Sequence, residues 1–185
     1  MKRIAIAATA LLLSVGGTMA QSAGDGPNGA DRPWIDLGAG AGLPGIIVAI
    51  LAKCPVILIE NRKGRIAFLR EVTERLALGH AQIVGQKVEA SRLIQPAAVI
   101  SARAYAPMEQ LIPSAHHLTD FSTIWLLPKG QNHQNELAIA QQLWHCEASI
   151  EPSITAPDSA ILKLSHVRPR QAGHQRRSRK AGGKA

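Results

Sequence analysis

The segment Trp34 to Gly45, WIDLGAGAGLPG, constrains the fold more than any other stretch. An apolar run breaks into Gly38, Gly40, Gly42 and Gly45, and Pro44 then leads into GIIVAILA. Glycine accepts a positive φ and lets another group approach the main chain, at an entropic cost wherever it sits. A cluster at the end of an apolar run therefore marks a strand that turns tightly into a helix, with Pro44 where the first helical turn tolerates it. Backbone N–H groups and the positive end of the helix then meet at the carboxyl edge of the strand, which suits an anionic ligand group.

The same alternation continues along the chain. VILIE (56–60) is the continuous aliphatic run of a central parallel strand covered on both faces, and it ends in Glu60. RKGRIAFLREVTERLALG puts Ile66, Leu69, Val72 and Leu76 on one stripe and closes at Gly79, which predicts an amphipathic helix. AQIVG, AAVISARA and STIWLLPKG give strands three to five. PMEQLIPSAHHL predicts a short helix interrupted at Pro113, and QNELAIAQQLW another helix. HCEASIE and SAILKLSHV, joined by a Pro/Asp/Ser turn, read as a closing antiparallel hairpin. The expected fold class is α/β and Rossmann-like: a mostly parallel, doubly wound sheet ending in an antiparallel, reversed pair. With 185 residues, 46% of them hydrophobic, the chain suits one such domain, placed over 34–167.

The ends differ from this body. Residues 1–20 combine Lys2 and Arg3, an apolar stretch from Ile4 to Val15 and small residues at Thr18 and Ala20, the pattern of a secretory signal peptide. Residues 21–33 read as a Gly/Asp/Pro/Asn linker. Residues 168–185 hold seven of the 21 Lys and Arg residues and no acid, so most of the +8 charge lies in a basic tail attracted to polyanions such as RNA, or serving solubility alone. Cys54 and Cys146 fit no disulfide or zinc spacing, nor do the histidines, and no metal site is expected.

Two ligands fit the glycine turn. Gly40, Gly42 and Gly45 satisfy GxGxxG with Glu60 twenty positions beyond Gly40, the dinucleotide fingerprint of an NAD(P)-binding oxidoreductase. The frame Asp36-x-Gly38-x-Gly40-x-Gly42 is instead associated with S-adenosylmethionine. In both, Glu60 accepts hydrogen bonds from ribose hydroxyls; a third possibility is a tight turn without a ligand. What remains of the chain offers no obvious nicotinamide substrate region, which favours the methyl donor.

DLGAGAGLPG, IENRKGRIAFLREV, VEA, ISARAYAPM and LLPKGQ, in that order, resemble the RsmG (GidB) family, the ribosomal small-subunit methyltransferases that modify a guanine of 16S rRNA at N7. The resemblance runs from about Trp34 to about Val167 and implies S-adenosylmethionine as cofactor, with the small ribosomal subunit as partner. It places the cofactor site on Gly38 and Leu43, the Val88-Glu89 pair and Arg103, alongside Gly40 and Glu60 from the turn itself. Glu89 as a surface acid and Arg103 as a surface ion pair are the plainer alternatives.

No nucleophile or general base is nominated, because guanine N7 is already an unprotonated acceptor and positioning can carry the rate. Arg103 and Lys129, the latter expected in the loop after strand five, are the RNA-contact candidates. Arg62, Lys63 and Arg65 read as solvated charges. Tyr105 is the one ring to place near an extruded base, with core packing as its competitor. Members of the family carry a helical region before the glycine loop, which residues 1–33 do not resemble; an inactive RNA-binding remnant of the fold is thus a further alternative. A cytoplasmic location with no stable membrane association is expected from the cofactor and the ribosome, in conflict with the export-like residues 1–20.

Overall fold

A computed structural model describes residues 32–52 and 54–170. Its strands are β1 (Trp34–Leu37), β2 (Val56–Ile59), β3 (Ala81–Val84), β4 (Val99–Ala102), β5 (Ile124–Lys129), β6 (Trp144–Pro152) and β7 (Ala160–Pro169). The helices are α1 (Gly45–Leu51), α2 (Lys63–Arg75), α3 (Met108–Ala115) and α4 (His133–Leu143), with short 3-10 turns at Val88–Ala90 and His116–Leu118. All seven strands form one sheet in the order β3-β2-β1-β4-β5-β7-β6. Strands β1 to β5 pair in parallel, and β7 pairs antiparallel with both β5 and β6.

The expected α/β architecture is therefore present, including the antiparallel hairpin at its end. Within that hairpin β7 is the strand that runs against the others, because the hairpin folds back so that β7 fills the place between β5 and β6. The burial pattern explains the choice. β7 buries Ala160, Leu162, Leu164 and Val167, a near-alternating apolar set that belongs inside a sheet. β6 is exposed along most of its length and carries Glu147 and Glu151, composition suited to an edge.

Helices cover both faces. On one, Ile35, Leu37, Ile100, Trp125, Leu127 and Leu164 pack with Leu111 and Ile112 of α3 and Ala140 of α4. On the other, Trp34, Leu58, Val99 and Leu126 pack with Ile46 and Val48 of α1 and Leu69 of α2. Every residue of β1, β2 and β4 is buried, the reason those stretches read as mainly apolar runs, broken only by Asp36 in β1 and Ser101 in β4.

Three boundaries move. Pro113 does not interrupt α3, which continues to Ala115; losing one intrahelical N–H costs less than exposing Leu111, Ile112 and Ala115. The α2 stripe is narrower than its spacing predicts: Leu69 is fully buried, while Leu76 lies beyond the last helical residue and is 49% exposed. Residues on either side of 34–167 are also tied to the sheet. Arg32 donates to the Pro96 and Ala97 carbonyls and pairs with Asp120 at 2.8 Å, and Arg170 donates from its backbone to Leu143 O. The export-like residues 1–20, most of the 21–33 linker and the greater part of the 168–185 tail lie outside the described residues.

Candidate functional site

The turn after β1 needs its glycines for two different reasons. Gly38, Gly40 and Gly42 have φ of 61°, 57° and 83°, the left-handed region that side chains rarely adopt. Gly45 opens α1, and there the reason is space: a Cβ would strike Leu58 and come within 2.8 Å of Asp36 Oδ2. The turn is tied to β2 by the Ala39 N–H donating to Ile59 O at 3.0 Å.

Asp36, 1% exposed, organises the strand beneath the turn. Its Oδ2 accepts the Gly45 N–H at 3.0 Å and its Oδ1 accepts the Ser101 hydroxyl at 2.8 Å, while Ser101 Oγ accepts Trp34 Nε1–H at 2.8 Å. Burial pushes the Asp36 carboxyl up to about 7, against the lowering effect of the Ser101 and Gly45 bonds and of the Arg103 charge. Sequence reasoning noticed Asp36 only as the first letter of a motif. Ser101 escaped it, although a hydroxyl in the buried run VISA was the available signal.

Glu60, 3% exposed at the end of β2, closes the other side. Its Oε2 accepts the Gly40 N–H at 3.0 Å, and its Oε1 accepts the N–H groups of Asn61 at 2.8 Å and Arg62 at 2.9 Å. Arg65 Nη1 approaches Oε2 at 3.5 Å from a half-exposed side chain. Burial raises this carboxyl, but the three N–H donors and Arg65 outweigh it and hold the group below the usual range. Besides offering an acceptor, Glu60 braces the glycine turn against the start of α2. Arg62 and Lys63 are exposed, whereas Arg65, read from the sequence as a solvated charge, reaches Glu60.

Gly38, Gly40, Leu43, Glu60, Val88, Glu89, Arg103 and Lys129 all fall at the carboxyl edge of the parallel strands, where open α/β sheets bind ligands. They divide between two neighbouring places. Gly38, Gly40 and Glu60 form the turn, with Val88 and Glu89 in the 3-10 turn beyond β3, where Val88 is buried and Glu89 exposed. Leu43, Arg103 and Lys129 line an adjacent cleft of about 860 Å³, together with Tyr105, Glu136 and the β6–β7 connection around Ile154. Among the described residues, no three or more His, Cys, Asp or Glu side chains gather in a way that could hold a metal ion.

Tyr105 joins the two places. A Cβ on Gly38 would lie 2.6 Å from its ring, so the ring packs directly on the glycine. Its hydroxyl reaches Ser114 Oγ at 3.4 Å; burial pushes the phenol up, opposed by the Ser114 bond and reinforced by the charge of Glu89. The ring is thus partly packed and partly cleft-facing. Arg103, exposed beside the cleft, takes part in none of the ion pairs among the described residues. Lys129 is the last residue of β5 and not in the following loop, and it pairs with Glu136 at 2.7 Å. Glu136 gave no sequence signal: QNELAIAQQL reads as an ordinary helix with solvated charge.

The profile of the family described as rRNA small subunit methyltransferase G matches residues 23–163. A ribosomal RNA small subunit methyltransferase G of Rhizorhabdus wittichii is 42% identical over 146 residues, 78% of this chain and 67% of that protein. One from Zymomonas mobilis is 42% identical over 142 residues, 76% of this chain and 62% of that protein. The chain thus spans about three-fifths to two-thirds of the length of these relatives. Among solved structures, the glycopeptide N-methyltransferase MtfA bound to S-adenosyl-L-homocysteine superposes with a TM-score of 0.61 at 10% identity, covering 83% of this chain and 88% of that one. An rRNA methylase from Streptococcus thermophilus gives 0.56 at 13% identity, covering 75% and 89%. These likenesses establish a methyltransferase-type fold and correct the dinucleotide alternative, whose doubly wound sheet has strand order 3-2-1-4-5-6 without an inserted antiparallel strand. By sequence, the chain belongs to the rRNA small subunit methyltransferase G (GidB) family.

Proposed function

We propose that this protein is an S-adenosylmethionine-dependent methyltransferase acting on N7 of a guanine in 16S rRNA, in the cytoplasm where both the cofactor and the small ribosomal subunit reside. The observation that carries the reading is the coupling of the glycine turn to Glu60 beside a roomy cleft, in a chain of this family. The turn suits an adenosyl ligand. Space is open at Gly40, where a Cβ would meet nothing nearer than Gly38 O at 3.6 Å. Glu60 keeps its three N–H bonds when a ribose hydroxyl takes the place of the long Arg65 contact, a carboxylate having about four acceptor positions. Val88 and Glu89 border the adenine end, and Gly38, Leu43 and Arg103 the methionine end.

When bound, S-adenosylmethionine supplies an electrophilic methyl group on its sulfonium. The protein's own residues have to bring the base up to it. Guanine N7 carries a free lone pair, so no proton leaves before attack, and alignment with exclusion of water is the main demand. On this reading Tyr105, which packs on Gly38 and lines the cleft, flanks the extruded base, and Arg103, also in the lining, meets a phosphate or the cofactor's carboxylate. Among the described residues, no helix is long and apolar enough to cross a membrane.

The test is transfer of tritiated methyl from S-adenosylmethionine to 30S particles lacking the modification, with the product nucleoside identified by mass spectrometry. Label in 7-methylguanosine is expected. Heat of binding with S-adenosylmethionine but no transfer would move the protein to the remnant reading, and no binding would defeat the proposal.

A further inference from the structure

Lys129 and Glu136 are both cleft residues, yet each is committed to the protein. Lys129 Nζ donates to Glu136 Oε2 at 2.7 Å and to the Ala106 carbonyl at 2.8 Å. The same Oε2 accepts the backbone N–H of Met108 at 3.1 Å. Side-chain exposures of 10% and 20% put the pair largely out of water, where such bonds are stronger than at the surface. Four pieces of chain meet at this point: the end of β5, the first turn of α4, the first residue of α3 and the link 103–107 between β4 and α3.

That link needs restraint. Five residues long, it carries Ala104 at φ +51°, a conformation that a side chain pays strain to hold and that surrounding contacts must enforce. It also carries Arg103 into the cleft and the Tyr105 ring onto Gly38. A lysine serving an RNA phosphate would turn its ammonium toward solvent, whereas two of the three N–H donors of Lys129 are already used within the fold.

We infer that Lys129 and Glu136 form a clamp that positions the 103–107 link, so that Lys129 is a positioning residue for Tyr105 and Arg103 and not an RNA contact. The inference rests on the methyltransferase reading for what the link positions, but the clamp itself is measurable without activity. The full chain and its Lys129→Met, Lys129→Arg, Glu136→Gln and Glu136→Ala variants would be compared by amide hydrogen exchange, methyl transfer and binding to 16S rRNA at several salt concentrations.

Exchange at the Met108 amide, which donates to Glu136 Oε2, is expected to quicken in Lys129→Met and Glu136→Ala, and to stay near the parent in Lys129→Arg, which can still bridge both acceptors. A small displacement of reacting groups being worth roughly a hundredfold in rate, kcat is expected to fall by roughly ten- to a hundredfold in the two disruptive variants. The salt slope of RNA binding is expected to be unchanged. A drop in that slope of about 0.7 in Lys129→Met, the signature of one lost phosphate contact to single-stranded RNA, with Glu136→Ala unaffected, would overturn the clamp. Unchanged exchange at Met108 would overturn it too. Should a disruptive variant fail to fold, Lys129→Arg and Glu136→Gln carry the comparison. If the parent itself transfers no methyl, the functional proposal fails while the exchange data still judge the clamp.

Discussion

Two buried carboxylates, Asp36 and Glu60, belong to the same turn and titrate in opposite directions. Burial dominates at Asp36, whose carboxyl is raised to about 7, and the native state therefore binds a proton that the unfolded chain has released. Its effect on stability is a loss as pH rises between the ordinary carboxylate value near 3.8 and about 7, then constant. At Glu60 burial is outweighed by N–H donors, so its contribution is present above the unfolded value near 4.5 and lost as pH falls through the lower native one. Melting temperatures measured from pH 3 to 8 are expected to show a flatter profile between pH 4 and 7 for Asp36→Asn than for the parent, and a smaller acid-side loss for Glu60→Gln. At Gly45, alanine forces Leu58 and Asp36 aside, and overpacking of that kind costs about 1–3 kcal/mol by urea unfolding. Much of this was legible in the letters, since an acid and glycines after an apolar run announce a turn. The partner of Asp36 was not, because Ser101 lies 65 residues away and only the β1–β4 register places it opposite.

Elements followed the sequence in the central strands and departed from it where an element's end or neighbour is chosen by tertiary packing. β1, β2 and β4 sit between two helical layers, so nearly every position is apolar and the runs declare themselves. The end of α2, the fate of Pro113 and the limits of β4 and β5 depend on tertiary packing, which local preference does not encode. The place of β7 between β5 and β6 is the main element-level feature that local sequence left open. Its centre, Leu164, is fully buried opposite Trp125, and Leu164→Ala is expected to cost about 2–5 kcal/mol in denaturant unfolding, as for other large-to-small changes in a core. An equal truncation at Ile150 on the exposed edge strand β6 should cost well under half as much, since that side chain is 39% exposed.

For the whole molecule, the sheet gathers residues from the ends of five strands along one edge. Residues 171–185 hold five Lys or Arg and no acid, so removing them is expected to weaken 16S rRNA binding chiefly at low salt and to flatten its salt dependence, while leaving S-adenosylmethionine binding by calorimetry unchanged. By itself the sequence determined the α/β class, the strand–turn–helix unit with its acid at the next strand end, and the family resemblance, because these rest on periodicities and spacings of a few residues. Only the tertiary structure decided that β7 lies between β5 and β6, that Asp36 is bound to Ser101, that Tyr105 lies on Gly38 and that Lys129 is held by Glu136. Such contacts join segments whose separation along the chain carries no local signal; they arise from which buried groups must find partners once the sheet has closed.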